Sequence, residues 1–297
     1  PARSDTYSLE NVGPMNVLAT ISIGMDPLIF SFGTFVLSWH GLFTFIAVAV
    51  SVLLVYRWAT KAGMAGDPVL SVAVWCIIGG IIGARVLHII DFWSISYQHD
   101  PIRIIYVWQG GIAIYGAILG GFAGGSLYIV TRNSGRFLSF WNRFFRWAGE
   151  LKKAELPRIG PLADIAAPAI LISMAIGRIG DVINGEHFAH ATDLPWGFFY
   201  THINSAAANR PVSHPAVVYE IILDLLVLAI IWPLRNRLRP HGMVFLLYGA
   251  LYAVGRFFVS FVRVETNAYF LGMNEAQIVS LIIMVIAIPL LVYKAQF

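Results

Sequence analysis

The chain has 297 residues, of which 58% are hydrophobic and 12% charged, with a mean hydropathy of +0.72. Soluble domains carry about 25% charged residues, so this composition excludes an ordinary soluble protein. The net charge of +4 points to no nucleic-acid partner, because in so apolar a chain the placement of basic residues matters more than their sum.

The first fifteen residues, PARSDTYSLENVGPM, show no basic segment leading into an apolar core, so no cleavable signal peptide is expected. Residues 12–35 are apolar but interrupted by Gly and Pro, and 1–35 reads as an external segment resting at the membrane interface. Seven apolar runs follow, at 36–56, 71–91, 111–131, 162–182, 215–234, 242–262 and 276–294. Each is about 20 residues, the length needed to cross a hydrocarbon core of about 30 Å. The expected fold is an all-α integral membrane protein of seven transmembrane helices. Spans one to four occupy 36–182, with a basic loop at 132–160. An external head occupies 183–214, and spans five to seven occupy 215–297.

Basic residues set the orientation. Arg57 and Lys61, the seven Lys and Arg of 132–160, Arg235, Arg237, Arg239 and Lys294 fall in alternating connections and therefore on one side. Only Arg3, Arg103, Arg210 and Arg263 fall on the other. The dense side is expected to be cytoplasmic, with the N-terminus outside and the C-terminus inside. Within the basic loop, RFLSFWNRFFRWAGELKK interleaves aromatics with Arg and Lys. It reads either as an amphipathic interfacial helix or as a plain basic loop. In YGAILGGFAGG, glycines recur four apart, the pattern of close helix packing in membranes. Cys76 is the single cysteine and lies in an apolar run, which excludes disulfides and cysteine-rich metal sites.

Three arginines, Arg85, Arg178 and Arg256, lie inside spans. A charge at the bilayer centre costs roughly 2.5 kcal/mol or more, so such residues are functional or paired. Spans two, four and six run from inside to outside. At a rise of 1.5 Å per residue, all three arginines lie roughly 6–10 Å below the outer interface. His40, Tyr115, His214, Glu220 and Glu186 fall in the same layer. Asp181 one turn from Arg178, and Glu220 four residues from Asp224, offer internal ion pairs as the structural alternative. Convergence at one depth favours an anionic ligand, because the planar guanidinium binds two phosphate oxygens at once. A phospholipid headgroup is the anion found there. His187 and His190 in HFAH, with His202 and His214 downstream, do not match HExxH, and no metal or other cofactor is expected. Neither a nucleotide-type Gly-rich loop nor a GxSxG elbow is present.

From about Asp26 to Ser280 the chain carries DPLIFSFG and WHGL, GARV, WQGGIAIYGA, GRIGDVINGE, WGFFY, SHPAVVYE, YAVGRFFVSFVR and EAQIVSL, in that order. In these blocks it resembles the prolipoprotein diacylglyceryl transferases. The resemblance implies transfer of the diacylglyceryl group of phosphatidylglycerol to the lipobox cysteine of a preprolipoprotein, giving a thioether and glycerol 1-phosphate. It implies a multi-pass protein of the bacterial cytoplasmic membrane, with its site toward the outer leaflet. Arg178 and Arg256 would hold the lipid phosphate. Arg85 would add to their field or pair with Glu220. Glu186 would orient an arginine or the glycerol hydroxyls, unless it forms a salt bridge at the helix end. Asn184, His214 and Glu220 would line the substrate site.

Two candidates stand for the proton acceptor. Many members have HGG where this chain has Tyr115-Gly116-Ala117, although others carry Tyr. His40 replaces the Tyr common in WYGL. The two aromatic positions are thus exchanged in this chain. Asp181, Val182, Ala189 and Ser260 stand where Asn, Phe, Gly and Glu are common. These departures leave open a non-catalytic or altered-donor lipid-binding paralogue. A lipid or solute transporter is a further alternative, but no internal repeat is visible and the charge lies off the midplane.

Overall fold

A computed structural model describes residues 20–32, 35–106, 111, 113–154, 156–264 and 269–296. Residues 1–19, 33 and 34 of the expected interfacial segment lie outside that set, as do 107 and, within the WQGGIAIYGA block, 108–110 and 112. The long helices are α1 (Trp39–Lys61), α2 (Gly66–Asp91), α3 (Ile114–Asn133), α5 (Ile159–Asn184), α6 (Ala216–Leu234), α7 (Met243–Val259) and α8 (Glu275–Lys294). Six are long and apolar enough to cross a membrane, and α7 is a shorter apolar helix of 17 residues.

Local sequence places their ends. Ser38 caps α1 by accepting the Gly41 amide at 3.1 Å. Asn274 and Gln277 form a reciprocal capping box on α8. α5 stops at Gly185, which takes the left-handed conformation (φ 72°) that glycine adopts without a Cβ clash. The run at 242–262 yields a helix that closes at Val259. Beyond it the chain is recruited by the head: the His190 amide donates to Val262 O (2.9 Å) and the Val264 amide to Phe188 O (2.9 Å).

Side chains facing outward are apolar along the helices. Phe45 is 71% exposed, Leu127 64% and Val285 71%, a surface suited to lipid rather than water. Two buried clusters hold the interior. One joins Tyr115, Leu171, Ile231, Val244, Tyr248 and Tyr252. The other, nearer the basic end, joins Ala59, Val69, Val72, Ile129, Leu156 and Leu162. α2 and α3 meet through glycines, as the four-residue spacing implies. A Cβ on Gly116 would stand 2.8 Å from the Gly83 carbonyl carbon, and one on Gly83 would stand 2.7 Å from Gly120 Cα. α1 and α5 approach just as closely at Gly180, where a Cβ would lie 2.7 Å from His40 Cα.

The extended parts are small. β1 (Ile21–Ile23) pairs in parallel with β4 (Phe198–Tyr200), tying the N-terminal segment to the head. β2 (Leu28–Phe32) and β3 (Phe35–Ser38) form an antiparallel hairpin that presents Phe30 and Phe32 outward. The basic connection folds into α4 (Gly135–Phe144), which buries Leu138 and exposes Phe140 and Phe144 beside its arginines. The segment divides between its two readings: a helix forms over Gly135–Phe144, and 145–153 continue as a loop with one 3-10 turn.

Candidate active site

Alternating helix directions bring one set of ends together: the starts of α1, α3, α6 and α8 and the ends of α2, α5 and α7. The polar residues of the apolar runs gather there. On α5, Arg178, Asp181 and Asn184 follow at three-residue intervals and share a face. Because Gly180 lets α1 come close, His40 reaches Asp181, with Nδ1 2.5 Å from Oδ1. The other Asp181 oxygen faces Arg178 Nη1 at 3.1 Å and His187 Nε2 at 3.4 Å. Past the reversal at Gly185, Glu186 turns back over the helix end. It accepts from Asn184 Nδ2 at 3.1 Å and stands 3.7 Å from His40 Nδ1.

Glu220, 1% exposed on α6, is the hub of the arginines. Arg178 Nη2 meets one of its oxygens. Arg263 Nη1 donates to the other at 2.7 Å, and Arg256 Nη1 lies 3.8 Å from that same oxygen. Arg256 also donates to Ser260 Oγ (3.0 Å), whose hydroxyl returns to the Arg256 carbonyl (2.9 Å). Arg263 reaches on to His187 Nδ1 at 2.9 Å. Three guanidinium groups thus surround one buried carboxylate, and the network runs without a break from His40 to Ser260.

Four of its members, Asp181, His187, Ser260 and Arg263, are not among the site candidates read from the sequence, where Asp181 and Ser260 stand only as an ion-pair partner and as departures from the family pattern. A signal for Arg263 was present: it follows Arg256 by seven residues, two helical turns, in YAVGRFFVSFVR. For His187 there was none, since its position depends on a left-handed turn (φ 61°) after the helix end. Asp224 lies one turn from Glu220 and is 1% exposed; neither carboxyl oxygen has a hydrogen-bond partner among the described residues.

Arg178, Arg256, Glu186, Asn184, Glu220 and His40 are therefore brought together, and the remaining candidates stand around them. Tyr115 is 4% exposed, its hydroxyl 2.7 Å from Ser280 Oγ and its ring edge-on to Tyr252 at 6.5 Å. Arg85 donates to the carbonyls of Ile104 (2.9 Å), Gly111 (3.1 Å) and Arg103, with its guanidinium over the Tyr97 ring. These contacts fix the segment that leads into α3, whereas the cations described on Glu220 are Arg178, Arg256 and Arg263. His214 Nδ1 lies 3.3 Å from Tyr219 Oη, and Trp196 Nε1 donates to that oxygen at 2.9 Å.

Under the head, a cavity of about 230 Å³ is bordered by Glu186, His187, His190, Arg210 and His214. Arg210 covers it by stacking on Phe188 (3.5 Å). Tyr200 lines it too and donates to Val182 O at 2.7 Å; burial pushes its phenol above the ordinary range. Donor atoms of His40, Asp181 and Glu186 lie within 4.8 Å of one another, a metal-type set. Arg178 and His187 already occupy the second oxygen of Asp181, and Asn184 holds Glu186, so the same groups serve a hydrogen-bonded network.

A family model described as prolipoprotein diacylglyceryl transferase matches residues 27–148 and 150–293. Among curated proteins, a phosphatidylglycerol–prolipoprotein diacylglyceryl transferase of Dehalococcoides mccartyi is 35% identical over 276 residues, 92% of this chain and 95% of its own. Its counterpart in Acaryochloris marina is 32% identical over 261 residues, 86% of each chain. That of Staphylococcus aureus is 29% identical over 276 residues, 91% of this chain and 89% of its own.

Proposed function

The chain belongs to the prolipoprotein diacylglyceryl transferase family, and from that premise we propose that it moves the diacylglyceryl group of phosphatidylglycerol to the lipobox cysteine of a preprolipoprotein. The observation that carries this reading is the convergence of Arg178, Arg256 and Arg263 on one buried glutamate beside a histidine–carboxylate pair. In this reading the three guanidinium groups that Glu220 holds together supply the donors a phosphate requires.

In the reaction, sulfur bonds to the glyceryl carbon that carries the phosphate. The carbon–oxygen bond breaks, and its electron pair leaves on glycerol 1-phosphate. The thiol proton must go to a base, because the thiolate is the nucleophile and an ordinary cysteine has a pKa of about 8.5. In this reading Arg178 and Arg256 receive the charge that grows on the leaving oxygen, where pre-oriented donors are most effective. Glu220 orients them. Glu186 and Asn184, hydrogen-bonded together at the helix end, take the glycerol hydroxyls in this reading, and His214 borders the cavity under the head. Arg85 acts at a distance, by holding the entry to α3.

His40 is the base in this reading, with Asp181 as its positioning residue. In the neutral imidazole with its proton on Nδ1, His40 donates to Asp181 at 2.5 Å and keeps the Nε2 lone pair for the thiol proton. Tyr115, by contrast, is buried against Ser280, and an unperturbed tyrosine of pKa about 10 is a poor base near neutrality. The exchange of His and Tyr between the two motifs thus coincides with the arrival of a carboxylate at Asp181.

An apolar cavity of about 340 Å³ between α1, α2, α3 and α5 suits an acyl chain of the donor; Met174 on its wall lies one turn from Arg178. The concentration of Lys and Arg at the other end supports a cytoplasmic-membrane protein with the arginine network in the outer leaflet, the N-terminal segment and the 183–214 head outside, and the C-terminus inside.

The test is a lipobox peptide incubated with the purified chain and phosphatidylglycerol, read by mass. A gain of one diacylglyceryl group, absent when the peptide cysteine is replaced by alanine, is the expected result. No gain, with lipid still bound, would mean a paralogue that holds the donor without transferring it.

A further inference from the structure

At the end of the bundle away from the arginine network, α1 and α6 finish and α5 and α7 begin around a cavity of about 820 Å³. Lys61, Arg235, Arg239 and His241 line it. One acid, Asp164, lines it as well, but its carboxylate is held by the backbone amides of Gly242 (2.7 Å) and Phe245 (3.0 Å) at the start of α7. The cavity is therefore cationic, with its acid turned to the backbone. Arg239 Nη1 donates to His241 Nδ1 at 3.0 Å, so the imidazole accepts and holds the guanidinium at the wall.

The remaining wall is aromatic and apolar. Trp58 and Trp232 meet edge to face at 5.6 Å, and Arg235 stacks on Trp232 at 3.7 Å. Ile165 and Pro168 extend the apolar side along α5. Pro161 lies seventeen residues before Arg178 on the same helix, roughly 25 Å along its axis. The cavity and the arginine network thus stand at opposite faces of the apolar layer. Tryptophan and basic residues at helix ends are the anchors of a membrane interface, and basic pockets between helices at that level recognise anionic lipid headgroups.

We propose that this cavity binds the headgroup of an anionic phospholipid from the leaflet opposite the arginine network, as a bound lipid and not as a substrate. Lys61 and Arg239 take the phosphate, and the tryptophans and Ile165 take the glycerol backbone and the first methylenes. The apolar wall is what selects a lipid over a free phosphate ion. The proposal does not depend on the transfer reaction.

The test uses the full chain, stripped of lipid in a neutral detergent, with phosphatidylserine binding followed by native mass spectrometry. Replacing both cations, Lys61→Gln with Arg239→Gln, is expected to weaken binding at this site about tenfold or more, at about 1 kcal/mol per basic residue. Arg57→Gln with Arg237→Gln removes two exposed cations of the same end that do not line the cavity, and is expected to change binding less than about threefold. The charge-preserving pair Lys61→Arg and Arg239→Lys should retain binding, which separates a lost contact from a lost fold. Equal weakening by both neutralised pairs, equal binding of phosphatidylcholine, or displacement by millimolar inorganic phosphate would each overturn the proposal.

Discussion

Arg178 touches both carboxylates that organise the site, Asp181 and Glu220, so its loss takes one cation from each and, in the proposed reaction, a guanidinium from the lipid phosphate. Arg178→Ala is expected to lower transfer about a hundredfold or more, the usual cost of a lost charge-stabilising donor. Arg178→Lys should be nearly as poor, because an ammonium cannot bridge two acceptors as the guanidinium does; turnover of phosphatidylglycerol with a lipobox peptide measures both. His40→Phe should cost about a hundredfold or more in kcat if His40 takes the thiol proton. Full activity in that variant, with Tyr115→Phe inactive, would return the role to Tyr115. Asp181→Asn restores the residue common in the family but removes the carboxylate from His40 Nδ1. It is expected to slow kcat by about tenfold with KM for the lipid little changed, the separation that marks a positioning residue.

At the scale of elements, two close helix contacts decide the geometry. The α2–α3 contact depends on Gly83 and Gly116, where any side chain meets backbone on the facing helix. Gly83→Val is expected to lower stability by about 1–3 kcal/mol or more, the range for overpacked interiors, and to lower the melting temperature in detergent. Gly135→Ala, at a position where a Cβ meets nothing within 4 Å, is the matched control and should leave it unchanged. Cys76 lies on α2 within the apolar cavity wall, and Cys76→Ser should leave transfer intact, because the nucleophile is supplied by the substrate. The closing of α7 at Val259 has a different origin. Apolarity continues to residue 262, but hydrogen bonds to the head take over the backbone of Val262 and Val264. Hydropathy reads only the side chains, so it extended the run past the helix.

Across the whole molecule, charge is sorted into two layers: dispersed Lys and Arg at one end, buried and paired arginines at the other. Proposed topology places the first layer inside. Single cysteines introduced at Asn204 in the head and at Arg143 on α4, in a Cys76→Ser background, test it in intact cells. A membrane-impermeant thiol reagent is expected to label the first and not the second; the reverse pattern would invert the orientation.

The amino-acid sequence by itself determined the membrane class, the number and approximate ends of the apolar runs, and the close helix packing at the glycines of YGAILGGFAGG. These follow from composition and from helix periodicity, which are local properties. The motif blocks determined the family. Only the tertiary structure decided which charges meet. Glu220 collects Arg178 from α5 and Arg256 and Arg263 from α7 and the stretch that follows it, and His40 reaches Asp181 across 141 positions because Gly180 admits the α1 backbone. Residue spacing fixes the face of one helix; it carries no record of which face of another helix lies opposite, and burial of charge makes that choice decisive.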